Sequence, residues 1–262
     1  MNLTNAWKGI VTCFAALVFL PSGVFALTAQ EILDKVGKES LGESFRLTLS
    51  TKTMKGSKTV SSHRLWLMSK LGKDTGAFFL DFEEPEESKG LRLLLKVTLG
   101  KEPKAFMYLP ATGKTLPLAI DDPSVDIGGT GLMTEDIQGF MPSGDEKSEI
   151  VKEEKIDGRE CYLIRVSRPG EKDQRLIWVT KKNFVVLRSE TVNPEGKVTR
   201  ALRVIEFFQT DDGKEFPREE EITIPGKDTR IILRQEQAVF GVEIPEEVLD
   251  PATFGTFKWK GF

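Results

Sequence analysis

The residues that could carry acid–base or nucleophilic chemistry are few in this chain. Histidine occurs once, as His63, in an alternating run with Leu65 and Leu67. A Ser–His–acid triad would have to use His63, and the sequence has no Gly-x-Ser-x-Gly turn to present the serine. The only cysteines are Cys13 and Cys161, too few for a His/Cys zinc set. We therefore predict that the protein is not an enzyme and has no metal or cofactor.

Two glycine-containing segments match phosphate loops only in part. Ala111–Thr115 ends in Gly-Lys-Thr, but Tyr108 stands where the phosphate loop needs its first glycine. This segment is predicted to be a hairpin turn. Gly128–Gly131 follows no predicted strand and lacks dinucleotide-binding spacing, so its glycines predict backbone freedom and a hinge.

The acidic and mixed charge runs are predicted to be solvated. The acidic residues near the glycines lack the alternation of a calcium loop; they are Asp121, Asp122, Asp126, Glu135 and Asp136. Two further runs, Glu83–Glu87 and Arg218–Glu221, are predicted to lie in exposed turns or edges.

The first 26 residues have the order of a secretory signal peptide. Lys8 precedes the uncharged apolar run Ile10–Leu20, and Val24-Phe25-Ala26 fits a cleavage site. We predict export to the periplasm with cleavage after about Ala26; a retained N-terminal anchor is the alternative. Cys13 lies inside the apolar run, too early for a lipidated cysteine.

The predicted mature chain, 27–262, is interpreted as one domain. Without Lys8 the charges are 36 Lys+Arg against 40 Asp+Glu, a net charge of 36 − 40 = −4. No dense basic patch is present, which argues against nucleic acid as a partner. Cys161 is then the one remaining cysteine and has no partner for an internal disulfide. Its apolar neighbours predict a buried packing role.

The periodicity predicts a short helix and then an antiparallel sheet. Thr28 and Glu31 form a capping box before Ile32, Leu33 and Val36, which have helical spacing. Two-residue alternation then predicts about 11 strands separated by turn signals. They are Phe45–Ser50, Arg64–Ser69, Ala77–Phe82, Leu91–Val97, Ala105–Leu109, Cys161–Ser167, Arg175–Thr180, Val185–Thr191, Thr199–Gln209, Phe216–Ile224 and Thr229–Phe240.

The segment Leu116–Ser143 interrupts the strands. Thr134 can cap a short helix in it, with Glu135 and Asp136 in the first turn. A long loop with its own apolar helix is typical of a lid over a binding site, and a helix that plugs the sheet as ordinary core is the alternative. The apolar faces of the strands likewise have two interpretations, the lining of a ligand cavity or an ordinary filled core.

Several motifs resemble those of a known family. Phe79–Leu94 resembles its strand–"P-x-x-x-K-G"–strand hairpin, and Phe106–Thr115 resembles its "W-x-Y-L-P-x-x-G-K" hairpin. Shorter matches cover most of the rest of the predicted mature chain: Thr134–Ile137, Trp178-Val179, Asn193–Lys197, Phe216-Pro217 and Ile244–Leu249. On these motifs the chain is similar to the outer-membrane lipoprotein-sorting proteins, which share the LolA and LolB fold.

The resemblance implies a strongly curved antiparallel sheet, an incomplete half-barrel with short helices covering its concave face. It also implies a hydrophobic cavity for acyl chains and a periplasmic carrier role, often beside RND-type exporters of the inner membrane or an outer-membrane acceptor. Phe106 departs from the family's common Trp. Leu116–Leu118 stands where the family often has arginines, which removes the expected contact with an anionic head group.

We therefore predict a carrier that binds acyl chains of lipids or lipoproteins and moves them toward the outer membrane. A periplasmic adaptor that binds a protein partner, for example a membrane exporter, is the alternative. The predicted cavity residues share strand parity, and the predicted lid residues lie in the interrupting segment. They are Phe78, Leu80, Phe82, Leu93, Leu95, Phe106 and Tyr108 in the cavity, and Leu132, Met133, Ile137, Phe140 and Met141 in the lid.

Overall fold

One sheet of 13 strands forms most of the structure. The computed structural model describes residues 27–36, 42–120, 125–134, 136, 146–210, 213 and 215–258. The elements are helix α1 (Ala29–Lys35) and strands β1 (Ser44–Lys55), β2 (Lys58–Leu71), β3 (Thr75–Glu84), β4 (Arg92–Thr98), β5 (Lys104–Leu109), β6 (Lys114–Leu118), β7 (Lys147–Ile156), β8 (Arg159–Ser167), β9 (Gln174–Thr180), β10 (Val186–Val192), β11 (Val198–Gln209), β12 (Glu215–Ile224) and β13 (Thr229–Phe240). Two 3₁₀ turns follow late in the chain, Pro225–Lys227 and Glu246–Val248. None of the described helices is both long and apolar enough to cross a membrane.

The predicted capping box of α1 is confirmed. The Thr28 hydroxyl accepts from the Glu31 backbone N–H at 3.2 Å, and the Glu31 carboxylate accepts from the Thr28 N–H at 2.7 Å. These bonds satisfy two N–H groups that a helix start leaves unpaired. The buried side of α1 packs with Ile164 and Ile177, which fixes the helix over β8 and β9.

The sheet consists of two meanders joined by one long-range pairing. Its order is β6-β5-β4-β3-β2-β1-β13-β12-β11-β10-β9-β8-β7, and every neighbouring pair is antiparallel. Strands next to each other in sequence pair as hairpins, except β6 and β7, and β1 pairs in addition with β13. The sheet is open, with β6 and β7 as its two edges.

The sequence predicted about 11 strands, and the two that it missed are these edges. β6 includes Pro117 and lies mostly exposed, so it has no buried face to produce an apolar alternation. β7 is polar and none of its residues is buried. Short or charged strands are common at sheet edges, where proline and lysine discourage pairing with other chains. Periodicity is a signal of burial, so it does not detect such strands.

The two faces of the sheet carry separate apolar clusters. One, the cavity face, includes Phe45, Leu47 and Leu49 of β1 with Phe78 and Leu80 of β3. The outer face carries a second cluster around Phe79 and Leu94, covered by the C-terminal segment 242–257. All residues of β3 from 76 to 82 are buried, because this strand has protein on both faces.

Arg92 holds the C-terminal segment against the outer face. Its guanidinium donates to the backbone carbonyls of Phe254, Gly255 and Phe257 at 2.8 to 3.0 Å, and to the Asp81 carboxylate at 3.1 Å. Gly255 lies so close to Tyr108 that an added Cβ would be 2.2 Å from the ring. The 3₁₀ turn Glu246–Val248 therefore covers the outer face, whereas the resemblance led us to expect helices over the concave face. In the described residues, α1 alone lies on that face.

The sheet must curl strongly. One cavity is lined from β3, through Leu80, to β8, through Val166. These strands are eight positions apart in the sheet. At about 4.8 Å per position they would be about 38 Å apart in a flat sheet. The strands can line a common cavity only if the sheet bends round it, which gives the curvature that the resemblance implies.

Candidate functional site: an apolar cavity with a polar wall

The cavity has a volume of about 200 Å³ and mostly apolar walls. Phe45, Leu47 and Leu49 of β1 form its floor, and Leu33 and Val36 of α1 close one side. These residues face inward because strand side chains alternate and the cavity face takes every second position. The arrangement can remove an apolar ligand from water without a specific polar contact.

Residues 119–146, called here the crossing segment, connect the two edges of the sheet. Its described part lies against the cavity face, where Ile120, Ile127 and Leu132 join the apolar cluster. A tight hairpin is closed by the bond from the Ile127 N–H to the Leu132 carbonyl at 2.7 Å. The buried Thr130 hydroxyl donates to the Ile127 carbonyl at 2.7 Å and accepts from the Leu132 N–H at 3.2 Å. The hairpin thus satisfies its own buried polar groups.

The glycines of this hairpin allow close packing. Gly128 and Gly131 have φ of +63° and +79°, which side chains rarely adopt. A Cβ on Gly128 would lie 2.4 Å from the Phe82 ring, and one on Gly131 would lie 2.8 Å from Ile231. The sequence predicted a hinge here. The structure gives Gly128 and Gly131 a packing role, because their missing side chains let the hairpin contact the sheet, and the hinge itself stays a prediction.

Arg200 of β11 binds the hairpin of the crossing segment and holds it in place. Its guanidinium binds the Asp136 carboxylate and also donates to the Gly131 carbonyl at 3.2 Å. Asp136 in turn accepts from the Met133 N–H at 2.7 Å. The Arg200 side chain is only 9% exposed, so water screens the pair little. A small polar recess beside them is lined by Arg175 and Ser189 as well.

Glu220 of β12 and Gln235 of β13 add a second polar group to the cavity wall. Burial raises the pKa of Glu220 to about 7; the nearby Asp136 contributes to this rise, and an interaction with Gln235 opposes it. The carboxyl is surrounded by protein, yet its side chain is half-buried because it faces the cavity.

Sequence reasoning missed these polar residues. It placed Arg218–Glu221 in a solvated turn or edge, which is wrong, because the run lies within β12, between β11 and β13. A signal was available: Glu220 has the same parity as the buried Ile222, and Gln235 the same parity as Leu233. A polar side chain at an inward position of a central strand requires either a partner or a ligand.

Three of the predicted site residues line the cavity: Phe78, Leu80 and Leu132. Phe82, Leu93 and Leu95 belong to the same apolar cluster but do not line the cavity. Met133 is half-buried and pairs with Asp126 in an isolated bridge. Ile137, Phe140 and Met141, the centre of the predicted lid helix, lie outside the described residues.

Phe106 and Tyr108 lie on the outer face, so the prediction that placed them in the cavity is wrong. The register pairs Leu94 with Phe106 and Arg92 with Tyr108. Leu94 points to the outer face, and its neighbours Leu93 and Leu95 point to the cavity face. Phe106 and Tyr108 therefore pack against the C-terminal segment.

His63 and Cys161 are both buried. His63 contacts the Phe82 ring edge-on at 6.1 Å between centroids, and burial lowers the pKa of its imidazole while Asp126 opposes the shift. Cys161 is fully buried, and burial raises the pKa of its thiol. The described residues contain no group of three His, Cys, Asp or Glu side chains placed to hold a metal ion.

Comparison with known proteins gives a family and a fold. A family model described as uncharacterized protein-like matches residues 74–255, more than half of the chain. Comparison with the curated proteins finds no match.

Three solved structures have a similar fold at low sequence identity. A putative outer membrane lipoprotein-sorting protein domain from Vibrio parahaemolyticus has a TM-score of 0.75 at 16% identity, over 87% of this chain and 98% of that one. A DUF1329 family protein from Desulfovibrio piger has a TM-score of 0.73 at 16% identity, over 85% and 97%. A LolA superfamily protein from Nitrosomonas europaea has a TM-score of 0.65 at 17% identity, over 86% and 98%. The chain therefore belongs to the matched family, and its fold is that of the LolA-like outer-membrane lipoprotein-sorting proteins, as the motifs in its sequence predicted.

Proposed function

We propose that this protein is a periplasmic carrier that binds the acyl chains of lipids or lipoproteins in its cavity and moves them toward the outer membrane. The observation that supports it most is the cavity, an apolar space lined from nine neighbouring strands, α1 and the crossing segment. The signal-like start of the sequence supports the periplasmic location. The LolA-like fold supports a cargo with acyl chains.

Burial of hydrocarbon alone supplies enough free energy for this function. Each CH₂ group removed from water contributes about 0.8 kcal/mol, so a C16 chain gains on the order of 10 kcal/mol. A carrier of this kind needs no nucleophile or general base. The buried positions of His63 and Cys161 fit a binding protein better than an enzyme.

Native mass spectrometry of the protein purified from its own membrane-containing cells tests the proposal. We expect a retained lipid or lipoprotein that is released on unfolding. The adaptor alternative predicts an empty chain associated with a protein partner. The same spectra give the mass of the mature chain, for which we expect a start near Leu27.

A cavity-filling variant tests where the ligand sits. Leu67 lines the cavity and is half-buried, so Leu67→Trp would place an indole in the space that the acyl chain needs. The control is Leu99→Trp, since Leu99 is 44% exposed and lies away from the cavity. We expect lipid retention to fall at least tenfold in the first variant and to stay unchanged in the second. Equal retention in both folded variants would overturn the cavity assignment.

A further inference from the structure

The polar groups on the cavity wall have no role in binding a hydrocarbon chain. Gln235 is 6% exposed and lines the cavity, and its Oε1 atom has no hydrogen-bond partner among the described residues. A buried acceptor without a partner destabilises the protein, so such groups usually meet a ligand or water. Gln235 therefore leaves one acceptor of the cavity wall unsatisfied.

Glu220 stands beside this acceptor. It pairs with Leu233 in the register of β12 and β13. Gln235 lies two residues further along β13 on the same face, a diagonal separation of about 7–8 Å between Cα atoms. Both side chains face the cavity. Together they form a short polar strip across an otherwise apolar floor.

The charges around the strip disfavour an anion. The described charged residues that line the cavity are Glu220, Asp136, Glu146 and Arg175, so carboxyl groups outnumber the cation there, and Arg200 beside them is already bound to Asp136 and to the Gly131 carbonyl. A ligand carboxylate or phosphate placed beside Glu220 would meet a group of like charge. A neutral donor meets two acceptors there.

We propose that Gln235 and Glu220 form a recognition site for the polar end of the cargo, and that this cargo is an acyl chain whose polar end carries a neutral hydrogen-bond donor, a hydroxyl or an amide N–H. This inference rests on the proposed carrier function. The apolar walls hold the chain, and the strip selects chains by the donor next to them.

Two probes that differ by one donor test the proposal. Dodecanol and dodecyl methyl ether share the same chain and a similar oxygen, but only the alcohol donates a hydrogen bond. Each is used to displace N-phenyl-1-naphthylamine, a neutral fluorophore, from the purified full chain stripped of lipid. Since the hydrogen bond is worth about a factor of ten in affinity, we expect dodecanol to displace the fluorophore about tenfold better. Gln235→Met should bring the ratio close to one without weakening the ether.

Two further variants serve as a control and as an independent test. Gln237→Met makes the same replacement at an exposed position of β13 and should leave the tenfold preference intact. Glu220→Met removes the other acceptor and should reduce the preference independently, which covers the case in which Gln235→Met does not fold. Equal displacement by both probes in the original protein, or a preference that survives both variants, would overturn the recognition site. Binding of neither probe would instead overturn the carrier function itself.

Discussion

The Arg200 guanidinium binds the Asp136 carboxylate through two hydrogen bonds, from Nε at 3.1 Å and from Nη2 at 2.5 Å. The pair joins β11 to the described part of the crossing segment, which also packs against the cavity face through Ile120, Ile127 and Leu132. Two parallel bonds to one carboxylate fix orientation as well as distance. Arg200 thus sets where the hairpin of the crossing segment sits over the cavity.

Removal of one partner should leave a buried charge uncompensated. We expect Arg200→Met to lower the free energy of unfolding by about 3 kcal/mol, since the Asp136 carboxylate loses its cation in a poorly solvated position. The control is Arg234→Met. Arg234 pairs with Glu219 at 2.7 Å, but its side chain is 46% exposed, so its loss should cost no more than about 0.5 kcal/mol. Urea unfolding measures both, and equal losses would contradict a special role for Arg200.

Glu220 should make stability depend on pH. Its pKa is about 7 in the folded chain against 4.5 for an unperturbed glutamate. The folded state therefore holds the proton more tightly, and stability falls as pH rises from about 4.5 to 7. At 1.36 kcal/mol per pKa unit the loss is on the order of 3 kcal/mol. The Glu220→Gln variant buries no charge. Its free energy of unfolding, relative to that of the original protein, should therefore increase as pH rises.

Thermal unfolding of both proteins at pH 5 and pH 8 checks this. We expect the midpoint of Glu220→Gln relative to the original to be several degrees higher at pH 8 than at pH 5. A difference that is the same at both values would show that the Glu220 carboxyl is well solvated.

The close packing of Gly128 gives a test of the crossing segment. Gly128→Ala places a Cβ at 2.4 Å from the Phe82 ring and at positive φ. Gly113→Ala shares the positive φ, +65°, but meets nothing within 4 Å. Both variants should lose about 1 kcal/mol from backbone strain, and the first should lose a further 1–3 kcal/mol from overpacking. Similar unfolding free energies for the two would show that the hairpin can move away from the sheet.

The sequence predicted the helix and the strands better than it predicted the residues that line the cavity. Helix α1 was foreseen because its capping box is local, and most strands because one face of each is buried. Parity fixes which residues share a face within a strand, as Leu93 and Leu95 do. It does not fix how one strand faces relative to the next. Phe106 lies on the outer face because it pairs with Leu94, and this register depends on the turn between β4 and β5.

The polar part of the cavity was not foreseen because its members come from three different strands and the crossing segment. Arg200, Glu220 and Gln235 each look like ordinary surface residues in their own strand. Only the pairing of β11 with β12 and of β12 with β13 brings them to one wall.

The pairing of β1 with β13 has a consequence for how the chain folds. Phe45 pairs with Phe240, so the centre of the sheet forms from two segments that are synthesised far apart in time. The first meander, β1 to β6, can collapse early through local hairpins, but one edge of β1 stays open until β13 arrives. Contacts of such long sequence separation form slowly, and an unpaired apolar edge is prone to aggregate. We expect the joining of the two meanders to limit the folding rate.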